Sequence, residues 1–145
     1  MSPEAFLTAS QEKEVVKAIR EAESLTSGEI RVHLEPTVPG GDAVARAKEL
    51  FLELGMSATA LRNGVLIYVA TDDHKFAICG DKGINDVVED DFWDCTKDAI
   101  QEQFRQGNFT QGLIAGIARA GQRLQQYFPG RHDDTNELPN EISNG

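Results

Sequence analysis

The chain has 145 residues, 40% of them hydrophobic, and a formal net charge of −10 from 14 basic and 24 acidic side chains. This length fits one domain with a hydrophobic core of its own. The acidic balance argues against binding to nucleic-acid phosphates or to anionic membrane surfaces, because both require clustered Lys and Arg.

No targeting or membrane-spanning segment is recognised. Residues 1–10 lack the basic and apolar regions of a signal peptide. The longest apolar run, residues 65–70, has the size of a strand rather than of a transmembrane helix. Cys79 and Cys95 form no CxxC motif and are interpreted as two small apolar residues. We therefore expect no membrane insertion and a cytoplasmic location.

The hydrophobic pattern first predicts a helix and a strand. The helix is expected from about Thr8 or Ser10 to Thr26, with Ser10 as a cap that forms no capping box. The strand, residues 29–35, alternates aliphatic and polar side chains, which is typical of a half-buried strand.

A second helix, two strands and two more helices follow. Asp42 is predicted to cap the second helix. Residues 64–71 are apolar on both faces and predict a central strand, parallel to the first, and residues 75–80 return antiparallel as a hairpin. After an irregular acidic stretch, a third helix is expected from about Asp90 to Gln106. A fourth helix is expected with Thr110 as its cap, and its Gly112-x3-Gly116 pattern permits close helix approach.

These elements predict an α/β fold: a three-layer sandwich in which a small mixed β-sheet is flanked by about four helices. The polar tail from Pro129 carries no apolar periodicity and is expected to be disordered.

Standard catalytic signatures are missing from the sequence: there is no Walker A loop, GxSxG, HExxH or EF-hand loop. The three histidines lie on a strand, a turn and the tail, and each is interpreted as a surface residue (His33, His74 and His132). The GxxG pattern at residues 80–83 follows a strand and leads into acidic sequence, so it is interpreted as a turn rather than a nucleic-acid clamp.

The most informative feature is an acidic window. Between Asp81 and Glu102 the chain carries eight acidic residues, opposed only by Lys82 and Lys97. Carboxylates this dense repel one another unless a cation lies among them, and calcium prefers six to eight oxygen ligands. A solvated acidic face is the alternative interpretation.

The predicted topology brings part of this window to one end of the sheet. The start of the first strand, the start of the second and the end of the third meet there, which places Glu29 near Asp81. We therefore predict a metal site, with calcium the preferred ion and magnesium a weaker alternative, formed by Glu29, Asp81, Asp90, Asp91 and Asp94. The Asp72–Asp73 turn, at the opposite end near Asp42, is an alternative acidic site.

Several segments, in order, resemble the TPM domain family. They are SGEIRVH (27–33), Asp42 with RAK (46–48), RNGVLIY (62–68), GDKGI (80–84), Phe92-Trp93, FxxGNF (104–109) and GLxxGI (112–117). The resemblance covers residues 10–128, so the expected organisation is an N-terminal extension (1–9), a TPM domain (10–128) and a disordered acidic tail (129–145). It implies a Rossmann-like sandwich.

The resemblance also implies association with divalent cations, chiefly calcium, and an acid phosphatase activity suggested for plant relatives. Many family members are membrane-anchored or exported, which is not expected here. We predict a non-catalytic binding domain whose partner is a divalent metal ion. The alternative is a metal-assisted, acid-phosphatase-like hydrolase of phosphate esters. No phosphoaspartate motif supplies a nucleophile, and only Lys82 and Arg62 are cations near the predicted site.

Overall fold

The computed structural model describes residues 8–58, 62–89 and 91–130 and the backbone of residues 143–144. No helix in these ranges is long and apolar enough to cross a membrane. The helices are α1 (Ala9–Glu23), α2 (Ala43–Glu53), α3 (Lys82–Asn85), α4 (Asp94–Arg105) and α5 (Phe109–Gln125). The strands are β1 (Glu29–Glu35), β2 (Gly64–Ala70), β3 (Lys75–Gly80) and β4 (Ser143–Asn144).

The strands form one mixed sheet in the order β3-β2-β1-β4. β1 and β2 are parallel, with Glu29 opposite Gly64, and β3 returns antiparallel to β2. The predicted crossover and hairpin are both confirmed. β4 pairs in parallel with β1 at His33 and Leu34. The polar sequence of the tail did not predict this pairing. At the start of the predicted disordered tail, Pro129 forms a bridge with Thr26 and Gly130 donates its N–H to the Leu25 carbonyl. Residues 131–142 and 145 of the tail lie outside the described residues.

Two apolar clusters cover the two faces of the sheet and produce three layers. On one face, β1 and β2 pack against α1, α4 and α5, with Ile19, Ile100 and Ile117 fully buried between them. On the other face, Leu66 and Tyr68 of β2 pack in the cluster formed with α2. The predicted α/β class is confirmed: a small mixed sheet lies between layers of helices.

β1 is buried on both faces, so the prediction of a half-buried strand is wrong. Glu29, His33 and Glu35 are each 5% exposed or less. β1 lies inside the sheet, and α2 supplies an arginine that pairs with its polar face. The interpretation of His33 as a surface residue is wrong for the same reason: alternation distinguishes two faces but does not say what covers the polar one.

Helix α1 begins at the earlier of the two predicted starts and ends before the predicted Thr26. Thr8, not Ser10, is the N-cap, and it forms a capping box with Gln11. The helix ends at Glu23 because the chain then turns, and Thr26 makes a β-bridge with Pro129 instead of continuing the helix.

The acidic window contains more structure than predicted, and α4 starts later. Residues 82–85 form α3 where the end of a turn (80–83) and the start of an irregular stretch were expected. α4 starts at Asp94 rather than at Asp90, because residues 91–93 form a turn whose two aromatic side chains are buried. Asp90 lies outside the described residues. α5 starts at Phe109, with Asn108 in the cap position predicted for Thr110.

The glycines of α5 allow α4 and α5 to approach closely, as predicted. A Cβ atom added at Gly112 would lie 2.5 Å from Cε1 of Phe104, and one at Gly116 would lie 2.5 Å from Cδ1 of Ile100. Both distances are far below van der Waals contact. The Gly112-x3-Gly116 pattern therefore fixes how the two helices pack behind the sheet.

Candidate functional site

The amino-terminal ends of β1 and β2 bring two predicted ligands to one end of the sheet. Glu29 lies opposite Gly64 in the parallel register, and the Asp81 N–H donates to the Gly64 carbonyl at 2.9 Å. Glu29 and Asp81 thus flank Gly64 on either side. Both are buried, at 3% and 5% exposure. Strand direction alone predicted this arrangement correctly.

Asp81 is already neutralised by Arg62. Nε of Arg62 lies 2.9 Å from Oδ2, and Nη2 lies 3.1 Å from Oδ1. The carboxylate also accepts from the Lys82 N–H at 2.7 Å and so caps α3. These contacts to Asp81 raise the pKa of the Arg62 guanidinium. A metal ion at Asp81 would have to displace this built-in cation.

The remaining predicted ligands lie on the surface beside a buried aromatic anchor. Phe92 and Trp93 are buried, with their rings edge-to-face at 4.6 Å, and the Arg123 guanidinium stacks over Phe92 at 4.8 Å. Asp91 and Asp94 flank this anchor and are exposed. The anchor fixes where the chain carries these acids, while their carboxylates remain in solvent.

Five exposed carboxylates make up what we call the acidic surface: Asp86, Glu89, Asp91, Asp94 and Asp98. None of them forms an ion pair with another described side chain. In the described ranges, no three His, Cys, Asp or Glu side chains are grouped closely enough to hold a metal ion. A preformed metal centre is therefore not present among these residues, and coordination by the predicted set stays a prediction.

The opposite end of the sheet holds a buried polar network that sequence reasoning missed. Glu35, the last residue of β1, accepts from Nε of Arg46 at 2.8 Å and from Nη2 at 3.0 Å. The Tyr68 hydroxyl donates to the same carboxylate at 2.6 Å, and Nε2 of His33 lies 3.5 Å from its other oxygen. We call these four residues the Glu35 network.

The Glu35 network sets the protonation of its members. Burial alone would raise the pKa of Glu35, but hydrogen bonds from Arg46 and Tyr68 outweigh it and hold that pKa below its ordinary value of 4.5. Burial lowers the pKa of His33 below 6.5, and the nearby Glu35 only partly offsets this. An ionised carboxylate therefore lies beside a neutral imidazole, and arginine and tyrosine donors already occupy the carboxylate.

The alternative acidic site, at the Asp72–Asp73 turn, consists largely of turn and cap contacts. Asp73 accepts from the Val38 N–H at 2.7 Å, and Asp42 accepts from the Ala45 N–H at 3.1 Å as the N-cap of α2. Asp72 donates its own N–H to the Pro36 carbonyl. These acids join the β2–β3 turn to the loop before α2.

The signal for the Glu35 network was present in the sequence. Two ionisable residues two positions apart on β1, His33 and Glu35, must share one face of the strand. When a strand is followed by a helical crossover, the polar residues on one of its faces can be buried and paired with the helix as readily as they can be exposed to solvent. Arg46, four residues after the Asp42 cap, was the available partner.

Comparisons with known proteins agree with this architecture. The BA42 protein of the psychrophilic bacterium Bizionia argentinensis has an NMR structure that is 61% identical in sequence, covers 97% of this chain and 96% of its own, and has a TM-score of 0.91. A search of curated proteins gives no match.

Two more distant solved structures share the fold alone. The N-terminal domain of a P. gingivalis protein is 20% identical, with coverage of 90% and 84% and a TM-score of 0.71. The N-terminal domain of the Corynebacterium glutamicum protein cg2496 is 13% identical, with coverage of 93% and 78% and a TM-score of 0.67. The TPM domain family matches residues 1–123, and the chain therefore belongs to that family.

Proposed function

We propose that this TPM domain binds a divalent cation, calcium in preference to magnesium, and acts as a binding domain rather than as a hydrolase. The observation that carries the proposal is the acidic surface: five exposed carboxylates with no ion-pair partner among the described side chains. Exposed carboxylates on a turn are the ligand type that calcium takes, with variable geometry, whereas magnesium requires tight octahedral coordination.

Binding at this surface requires local rearrangement, because the described acids are not grouped around a common point. We expect Asp91 and Asp94 to move towards a bound ion, because these exposed residues flank the buried Phe92–Trp93 anchor. Asp81 would join only if Arg62 left its carboxylate, and Glu29, across Gly64 from Asp81, would be the distant contributor. The Arg62 side chain is 48% exposed and has room to swing outwards.

The test is a calcium titration followed by amide resonances and melting temperature. Calcium bound to the folded state raises stability by RT ln(1 + [L]/Kd), about 2.7 kcal/mol at a hundredfold excess over Kd. We expect shifts around residues 86–94 that Asp91→Asn with Asp94→Asn abolishes. The matched control, Asp72→Asn with Asp73→Asn, tests the alternative acidic turn. If the control variant alone loses the response, the ion binds at that opposite end.

A phosphatase assay tests the non-catalytic half of the proposal. We expect no calcium-dependent hydrolysis of para-nitrophenyl phosphate above a buffer blank. Turnover that falls in Glu29→Gln with Asp81→Asn would instead establish the hydrolase alternative, because a contaminating phosphatase would not respond to these substitutions.

A further inference from the structure

β3 forms one edge of the sheet, and no described strand covers it. The other edge differs, because β4 pairs there with β1. An uncovered edge presents N–H and C=O groups that can pair with another extended chain. The edge of β3 is therefore a surface on which a peptide could bind by strand addition.

The ladder between β2 and β3 identifies which groups point outwards. Asp81 donates its N–H to Gly64, so this pair is hydrogen-bonded, and such pairs alternate along an antiparallel ladder. Cys79 and Ala77 must then face β2, while the N–H and C=O groups of Phe76 and Ile78 face the open edge. By the same alternation, the Gly80 carbonyl also faces outwards, and it accepts a hydrogen bond from Nδ2 of Asn85 at 3.1 Å.

A groove of about 410 Å³ runs along this edge. Its floor is β3, one wall is Val44 at the start of α2, and the other wall is the exposed face of α4. Val44 is 55% exposed, although it is a large apolar side chain. The groove is lined by Val44, Phe76, Ala77, Ile78, Asp94, Lys97, Asp98 and Gln101.

The groove joins an aromatic pocket near the start of β3, with Phe76 and Gln101 lining both. This pocket has a volume of about 200 Å³, and its walls include Phe104 and Phe109, whose ring centroids are 5.2 Å apart. Such walls suit an apolar or aromatic side chain. Arg105 also lines this end, whereas Asp94 and Asp98 line the other.

Charge decides which occupant fits. Asp94 and Asp98 outnumber Lys97 along the groove, and Asp86, Glu89 and Asp91 follow β3 in the chain. A second copy of the protein is disfavoured, because antiparallel pairing of two β3 edges would place both α4 helices on the same side of the joined sheet, acid against acid. A cationic peptide is attracted instead, and the net charge of −10 favours its approach.

We infer that the open edge of β3 binds an extended, basic segment of a partner protein by strand addition. An arginine or lysine of that segment pairs with Asp94 and Asp98, and an apolar side chain fills the aromatic pocket. The two aspartates and the aromatic pocket lie on the α4 side of the sheet. The two peptide residues that contact them therefore point to the same face of the added strand and are separated by an even number of positions. Asp94 and Asp98 also belong to the acidic surface, so a calcium ion bound there would compete with the cationic side chain of the peptide.

The probe is a capped peptide of about seven residues that alternates threonine and valine around one arginine and one phenylalanine placed two positions apart. Binding is followed in EDTA by amide resonances of the protein, so that the result does not depend on calcium. Two N-methylated versions separate backbone pairing from simple charge attraction. One is methylated at the alternate amides that face β3, and the other at the amides that face away.

We expect shifts at the residues that line the groove and the aromatic pocket, chiefly in β3 and α4, lost with the first N-methylated peptide and kept with the second. Asp94→Lys with Asp98→Lys should weaken binding at least about tenfold. Glu102→Lys, a single charge reversal on α4 outside the groove lining, should weaken binding clearly less than the double reversal. The inference is overturned if the peptide shifts no β3 resonance, if both methylated peptides bind alike, or if both charge reversals weaken binding equally. Concentration-dependent dimerisation through β3 would also overturn it.

Discussion

Arg62 holds Asp81 by two hydrogen bonds, 2.9 Å and 3.1 Å long, at the end of the sheet where the sequence predicts a metal ion. The Arg62 carbonyl also accepts from the Gly83 N–H at 2.8 Å, so backbone and side chain together join the entry of β2 to α3. The protein's own guanidinium thus occupies the position of the expected cation. This relationship makes the metal hypothesis testable through the arginine.

The first prediction is that Arg62→Gln lowers the melting temperature in EDTA and that calcium restores part of the loss. The substitution leaves Asp81 as a buried carboxylate without its counter-charge, and a divalent ion can replace that charge. Arg105→Gln is the control, because Arg105 forms no ion pair with a described residue. If calcium stabilises Arg62→Gln no more than the wild type, Asp81 is not a ligand.

The sequence predicted which residues meet at this end of the sheet but not how they pair. Strand direction follows from the helical crossover and the hairpin, and direction alone places Glu29 and Asp81 at the same end of the sheet, on either side of Gly64. Arg62 was recognised as a nearby cation. Its ion pair depends on the turn before β2, where Arg62 adopts a left-handed backbone with a φ of 51°. No hydrophobic pattern encodes a single backbone conformation of that kind.

Burial of polar residues was the larger failure of the sequence analysis. His33 and Glu35 were assigned to the solvent face of β1, and the structure buries both. Alternation of apolar and polar residues shows that a strand has two chemically different faces. Whether the polar face is covered depends on a helix that crosses over it, and on whether that helix brings a partner such as Arg46.

The second prediction concerns pH and His33. Its pKa is lowered by burial, so the folded state keeps the imidazole neutral while the unfolded state protonates near 6.5. Its contribution to stability is complete above pH 6.5 and is lost as pH falls through the lowered folded-state pKa. We expect the free energy of unfolding to decrease as pH falls below about 6.5.

Urea unfolding at several pH values measures this dependence, with His33→Gln as the variant. The slope of stability against pH should flatten in His33→Gln but not in His74→Gln, since His74 is exposed. Equal slopes in all three proteins would show that His33 titrates alike in the folded and unfolded states.

The third prediction is that Gly121→Ala destabilises the protein although alanine favours helices. A Cβ atom at Gly121 would lie 2.8 Å from Cβ of Ala22 and 3.0 Å from its Cα, so the backbone of α1 stands in the way. Overpacking of this kind costs about 1 to 3 kcal/mol, against about 1 kcal/mol gained in helix propensity. The sequence drew attention to Gly112 and Gly116, but α1 lies too far away in the chain to identify Gly121.

Chemical denaturation of Gly121→Ala against Gln122→Ala tests this packing. Gln122 is the exposed neighbour on the same helix, and its substitution should change stability by no more than about 0.5 kcal/mol. A Gly121→Ala protein as stable as the wild type would mean that α1 and α5 can separate without cost.

The last prediction is that Tyr68 and Glu35 are energetically coupled. Tyr68 is fully buried, and its hydroxyl donates to the ionised Glu35, so Tyr68→Phe removes a charge-assisted hydrogen bond. Such bonds contribute about 1.5 to 3 kcal/mol, roughly twice the value for neutral partners. In a Glu35→Gln background the acceptor is neutral, so the same Tyr68→Phe change should cost about half as much. A double-mutant cycle by urea denaturation measures the difference, with Tyr127→Phe, on an exposed side chain, as the control. Equal costs of Tyr68→Phe in both backgrounds would show that the hydroxyl gains nothing from the charge of Glu35. The Glu35 network would then be a set of separate contacts rather than one coupled unit.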